Sequence, residues 1–213
     1  MHIPDGFLSF PIWAGMWITA LIILGYAIMK VNKKLGDKHI PLMGVLAAFI
    51  FAGQMLNIPV AAGTSGHMLG GVLAASFLGA MAASVIMATV FIVQAVFFQD
   101  GGITALGANI FNMGLIGTIF GYYVYRGVRR VIGEDSKKGI LIGAGVAAWL
   151  AVVLASAACS IELAASGVFP LKESLIGMVA IHSIIGVIEA GITIAVVSFV
   201  LKVRPDLFNL EKI

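Results

Sequence analysis

Residues 69–98 read LGGVLAASFLGAMAASVIMATVFIVQAVFF, a run of about 30 residues without a single charge. As one α-helix it would be about 45 Å long, against a hydrocarbon core of ~30 Å. Two short helices turning near Gly79 or Ala80 resolve the excess. The choice between one helix and two decides the topology of the chain.

Outward from this run, further apolar segments extend from Phe10 to Met29, Pro41 to Val60, Ala108 to Tyr125, Gly139 to Ala165 and Leu175 to Leu201. Basic residues cluster after the first of these (Lys30, Lys33, Lys34, Lys38), after Tyr125 (Arg126, Arg129, Arg130, Lys137, Lys138) and after the last (Lys202, Arg204). The positive-inside rule puts all three clusters in the cytoplasm, so an even number of crossings separates neighbouring clusters. Two segments lie between Lys138 and Lys202, as required. Between Lys38 and Arg126 the number is even only if residues 69–98 are broken in two. The reading is an all-α membrane protein of seven transmembrane helices, with the N-terminus outside and the C-terminus cytoplasmic.

Composition points the same way. The 213 residues are 61% hydrophobic and 11% charged, whereas soluble domains are nearer half and a quarter. The alternating pattern of an outer-membrane barrel is absent. The net charge of +3 arises from clusters between spans and reports topology, not nucleic-acid binding. No long linker or repeat interrupts the chain, so 1–213 is read as a single domain. The first span lacks a basic leader and a small-residue cleavage site, so the mature chain is expected to start at Met1-His2. Cys159, the one cysteine, sits in an apolar run and is expected to pack there.

This topology collects polar residues on the outer face. They are Met1 and His2, the loop AAGTSGHMLGG (61–71) with His67, and the loop FFQDGGITALGANIFNMG (97–114). His182 lies about two turns into the last helix from the same side. His39 falls among the cytoplasmic lysines and is expected to be a solvated loop residue. Glu162, at the outer end of its helix, is expected to be solvated too.

The chain opens MHIPDGFLS. The α-amine of Met1, the amide nitrogen of His2 and the imidazole Nδ1 of His2 can close fused chelate rings around one ion. The amide must lose its proton, which Ni(II) and Cu(II) promote far better than Zn(II), Mg(II) or Ca(II). Three nitrogens in a plane leave one corner of a square, which the imidazole of His67 could fill; square-planar nitrogen ligation suits Ni(II) or Cu(II). The plainer alternative is an exposed terminal histidine and a loop histidine satisfied by carbonyls. Pro4-Asp5-Gly6 favours an ordered turn, which Asp5 can brace through its own backbone. Gln99, Asp100 and Asn109 could cap helix ends or hold the N-terminal segment. His182 and Glu189 are seven apart and share a helix face, either as a buried pair or as groups orienting the ligands.

The stretches MHIPDGFLS, SGHMLGG, QAVFFQDGGITALGANIFNMG and HSIIGVIEAG resemble the signature segments of the CbiM/NikM family, across essentially the whole chain. These are the substrate-capture components of energy-coupling-factor transporters for nickel and cobalt. The resemblance implies seven helices with an external N-terminus in a prokaryotic cytoplasmic membrane. It also implies Met1, His2 and His67 as metal ligands. Apart from the resemblance, their position on the outer side makes Asp5, Gln99, Asp100, Asn109 and His182 candidates for the surrounding shell. The bound Ni(II) or Co(II) is substrate, and no prosthetic group is expected. The implied partners are two ATPase subunits and a transmembrane coupling subunit, usually with a further small membrane protein.

Neither a G-x-x-x-x-G-K-[ST] nor an H-E-x-x-H stretch occurs, so the chain is expected not to be an enzyme. Energy for uphill transport would come from those partners. Gly44, Ala48 and Ala52 form a small-residue stripe suited to close helix approach, within the chain or against a partner helix. The alternative function is a self-sufficient secondary permease or channel for divalent cations. That class calls for intramembrane carboxylates along a path, and only Glu189 is placed deep enough.

Overall fold

The computed structural model describes residues 1–36, 39–56, 58, 59 and 65–212, with the side chains of 58, 59, 65 and 209–212 left aside. Lys38 of the first basic cluster and residues 61–64 of the glycine-rich loop lie outside the described residues.

Helix α1 (Phe10–Lys34) starts after an extended Ser9 and carries a proline in its first turn, where no helical N–H is needed. It ends on Lys33 and Lys34, which complement the negative end of the helix dipole. Helix α2 (Ile40–Gln54) follows, again with a proline in its first turn. The chain then makes a two-residue antiparallel pairing, β1 (Ile58–Pro59) with β2 (Ser65–Gly66).

Helix α3 (Gly71–Phe97) is the axis of the molecule and is buried along most of its length. It is not one helix. At Gly79 the backbone leaves helical conformation (φ 75°, ψ 168°), so two helices meet at a residue that lacks the Cβ such a φ excludes. Gly79 is one of the two positions that the length of the run singles out.

The next rod runs through α4 (Leu106–Asn109), a π-helical stretch (Ile110–Phe120) and α5 (Gly121–Ile132). The junction residues Ile110 and Gly121 keep right-handed helical angles, so the rod is continuous. Small residues bring it against its neighbours. A Cβ on Gly107 would lie 2.6 Å from the backbone of Trp17 in α1, and one on Gly71 would lie 3.0 Å from Gly117.

Helices α6 (Lys137–Ala165) and α7 (Leu171–Val203) form a hairpin, tied where Trp149 Nε1 donates to Ser183 O at 3.1 Å. A terminal 3₁₀ segment (Pro205–Lys212) folds Phe208 onto Phe77 of α3.

Helices α1, α3, α6 and α7 are long and apolar enough to cross a membrane, and α2 is a shorter apolar helix. Large apolar side chains such as Ile18, Ile22, Val187 and Phe199 point outward. This is the make-up of a membrane protein, in which lipid rather than water meets the outer surface.

Two expectations change, and one open alternative narrows. His39 is buried, with Nδ1 3.2 Å from Gly36 O, because its ring sits among Val31 and Leu35 at the end of α1 and Met43 at the start of α2. Glu162 is buried as well and accepts from Asn112 Nδ2 at 2.7 Å, because this end of α6 packs on the π-helical stretch. Gly44, Ala48 and Ala52 are exposed, and a Cβ on Gly44 would meet nothing within 4 Å. The stripe is not used for packing within the chain.

Candidate metal centre

The first five residues are strapped across the turn that joins α3 to α4. Ile3 N donates to Asn109 Oδ1 at 2.8 Å, and Ile3 O accepts from Asn109 Nδ2 at 3.1 Å and from Gly102 N at 2.9 Å. The Asp5 carboxylate accepts from Ile103 N at 3.1 Å, Thr104 N at 2.7 Å and the Thr104 hydroxyl. These bonds hold Asp5 below the usual carboxylate range, the Thr104 hydroxyl bond contributing most. Two glycines allow the close passage. A Cβ on Gly102 would collide with the Asp5 amide at 2.3 Å, and Gly101 (φ 96°) lies against Asn109 and His2.

The strap delivers Met1 and His2 to a buried position beside His67. The His2 and His67 rings stack with centroids 4.9 Å apart and planes 21° apart, and Phe91 of α3 meets His2 edge-on. His67 Nδ1 lies 2.8 Å from Met68 O; a carbonyl only accepts, so Nδ1 carries the proton and Nε2 keeps its lone pair. His2 Nδ1 lies 3.0 Å from Asp100 Oδ1; a carboxylate only accepts, so that nitrogen carries a proton. Both Nε2 atoms are buried, and neither has a hydrogen-bond partner among the described residues. Buried polar atoms are normally partnered, so two unpartnered imidazole nitrogens side by side mark a place suited to a ligand.

Burial sets the electrostatics. It pushes His67 down to about 3 and the Met1 α-amine below its ordinary value, which favours the neutral, ligating forms. The His2 contact holds the Asp100 carboxyl below its usual range. Among the described residues no group of three or more His, Cys, Asp or Glu side chains could hold a metal. The Met1 α-amine lies close enough to His67 to act on it electrostatically and is a further nitrogen beside the two imidazoles. The chelate read from the sequence uses His2 Nδ1. Here that atom is engaged by Asp100, so such a chelate would require His2 to leave Asp100.

The other candidates separate. Asp5, Asp100 and Asn109 belong to the strap and its contacts, as the bonds above show. His182 lines a 270 Å³ cavity together with Met1, His2, Cys159 and Met178, its Nδ1 held by Met178 O at 2.8 Å. Cys159 packs in the apolar cluster of Ile3 and Leu8 beneath the strap. Gln99 is exposed in a left-handed conformation (φ 55°) at the turn after α3 and faces away.

Glu189, with Gln54 and Gln94 that had no role assigned beforehand, holds the backbone that follows His67. Glu189 does not pair with His182. Its carboxylate accepts from Leu69 N at 2.7 Å and Gly70 N at 2.8 Å, immediately after His67. Gln54 Nε2 donates to Leu69 O at 2.7 Å, and Gln94 Nε2 donates to Gln54 Oε1 at 2.7 Å. Polar side chains inside apolar helices are costly unless partnered, which was the signal available for Gln54 and Gln94.

Solved structures share this architecture. A crystal structure described as a truncated transition metal transporter superposes with a TM-score of 0.85 at 33% identity, covering 95% of this chain and 99% of that one. A provisionally named fused nickel transport protein, NikMN, of Archaeoglobus fulgidus is 41% identical over 98% of this chain and 68% of its own length. A provisionally named metal transport protein of Methanocaldococcus jannaschii is 40% identical over 98% of this chain and 95% of its own. Residues 2–207, strap and stacked histidines included, match the family described as the cobalt uptake substrate-specific transmembrane region, and the chain belongs to that CbiM family.

Proposed function

We infer that the chain captures Ni(II), or Co(II), at the outer membrane face as the substrate-binding subunit of an ATP-driven uptake transporter. The observation that carries this reading is the delivery of the chain's own N-terminus, by a strap of six hydrogen bonds, to two stacked buried imidazoles with unpartnered Nε2 atoms. The first ligands are Met1, His2 and His67, with Asp100 and Asn109 positioning them. His182 borders the cavity through which an ion could arrive.

The topology in this reading has seven crossings, with the N-terminus outside and the C-terminus cytoplasmic. The irregular backbone at Gly79 is consistent with a chain that bends within this run, which the even number of crossings between basic clusters requires. Two ATPase subunits and a transmembrane coupling subunit supply the energy, usually with a small additional membrane protein. The exposed Gly44-Ala48-Ala52 stripe on α2 offers the coupling subunit a surface for close helix approach. The secondary-permease alternative is weakened by Glu189, whose oxygens are engaged by backbone amides instead of facing a path.

The test is an N-terminal extension. One added residue converts the Met1 amine to an amide and moves the new amine out of the site. Nickel binding by calorimetry should be lost with the melting temperature retained, whereas a C-terminal tag should leave binding unchanged. Wild-type affinity in the folded, extended protein would remove the terminal amine from the site.

A further inference from the structure

At the far end of α1 the molecule holds a second polar cavity. Between the last turns of α1, the Gly79 break in α3 and the start of α5 lies a cleft of about 270 Å³. Tyr26, Lys30, Lys34, Leu78, Met81 and Tyr123 line it. Tyr26, Lys30 and Lys34 follow at intervals of four along one ridge of α1. Both lysines are exposed, and neither has a carboxylate partner among the described residues; Lys30 Nζ lies 5.4 Å from the centre of the Tyr26 ring. The acids of the α5–α6 turn are engaged elsewhere, Glu134 with Arg126 at 3.4 Å and Asp135 with Arg129 at 3.9 Å. The floor of the cleft is apolar, since Leu78 and Ala82 are buried. Two uncompensated cations over an apolar floor attract an anion more strongly than they would in open water.

The surroundings say what kind of anion. One turn before Tyr26 on the same ridge stands Ile22, 68% exposed, and Ile18 precedes it at 61%. The ridge therefore runs apolar, aromatic, cationic. That is the profile of a phospholipid read from acyl chain to headgroup, with tyrosine at the interface and lysine at the phosphate. We propose that this cleft is a binding site for the phosphate of an anionic phospholipid headgroup. The proposal rests on the topology argued above, which puts the cleft at the cytoplasmic boundary of the membrane. A headgroup seated there would bridge the end of α1 and the helix break at Gly79, joining a lipid contact to the least regular point of the central helix.

The experiment uses the full chain in neutral detergent, with native mass spectrometry and titration of phosphatidylglycerol or phosphatidylcholine. Phosphatidylglycerol should bind saturably and phosphatidylcholine at least tenfold more weakly. The double variant Lys30→Gln/Lys34→Gln should lose at least tenfold in phosphatidylglycerol affinity. Lys33→Gln/Arg130→Gln removes the same charge from exposed residues that do not line the cleft and should bind as the wild type does. Millimolar inorganic phosphate is the second arm. Displacement of lipid by phosphate would show that the phosphate group alone is read, and lack of displacement would assign the site to the intact lipid; either upholds an anion site. Equal losses in the two double variants, or no saturable binding, would overturn it. Nickel affinity, measured on the same variants, should not change, so failure of the metal reading and failure of the lipid site are separately visible.

Discussion

Asn109→Ala tests the strap where it is most dependent on one side chain. Asn109 is 1% exposed and makes two bonds to Ile3. After truncation Ile3 O still accepts from Gly102 N, but Ile3 N–H is left without its partner at a residue only 2% exposed. Loss of a bond costs about 1 kcal/mol, and an orphaned buried donor costs about 1–3 kcal/mol. The docked strap should therefore lose about 2–4 kcal/mol, while the Asp5 bonds to Ile103 and Thr104 remain. Apparent affinity falls only by the fraction of molecules whose strap is undocked, so the effect on nickel Kd is bounded at roughly 30- to 900-fold. Two measurements are needed. Hydrogen exchange of the N-terminal peptide reads docking directly, and calorimetry with Ni(II) and Co(II) reads capture. Faster exchange with weaker binding is the expected result. Unchanged exchange would refute the strap as described, and faster exchange with unchanged affinity would refute its role in presenting the ligands.

His67→Ala removes an unpartnered imidazole nitrogen from the centre and should weaken nickel binding at least tenfold, about 1.4 kcal/mol. His39→Ala, buried in the α1–α2 turn, should cost stability and leave affinity unchanged; equal affinity losses would place the centre elsewhere. Glu189→Ala orphans the amides of Leu69 and Gly70 and should lower both the melting temperature and nickel affinity, whereas Glu189→Gln, able to keep one bond, should recover part of each. The pH dependence follows from protons that must leave. Because burial lowers the folded values of the Met1 amine and of His67, the latter to about 3, these groups compete with metal only at lower pH than free groups would. In the proposed chelate the His2 amide proton is released at any pH, so affinity should fall about tenfold per pH unit on acidification and faster below the lowered value of the amine. Affinity that stays flat between pH 6 and 8, with no proton released in calorimetry, would exclude amide ligation.

Length and polarity were enough for a good deal of this protein. A charge-free run too long for the bilayer has to bend, and glycine is the residue that leaves a helix most cheaply, so the break at Gly79 could be read before any coordinates. A turn at Pro4-Asp5-Gly6 was legible for a similar local reason, but the Asp5 carboxylate braces Ile103 and Thr104 instead of its own backbone, so what holds the segment was not. What the sequence could not reveal was which face of each helix points inward. In lipid both faces are apolar, so the periodicity that separates core from surface in a soluble helix is missing. Hence the Gly44-Ala48-Ala52 stripe could equally have packed inside, and only the assembled bundle leaves it exposed. Glu162 and His39, placed at helix ends where water is the default partner, are buried because neighbouring elements close over them. Partners distant in the chain were equally hidden: Glu189 meets Leu69 across 120 positions and Asn109 meets Ile3 across 106. Such pairs carry no local signature, since a buried carboxylate or amide can be satisfied by any donor or acceptor the fold brings near. The tertiary structure alone decides that His2 Nδ1 rests on Asp100, and with it which bond would have to open for the proposed chelate to form.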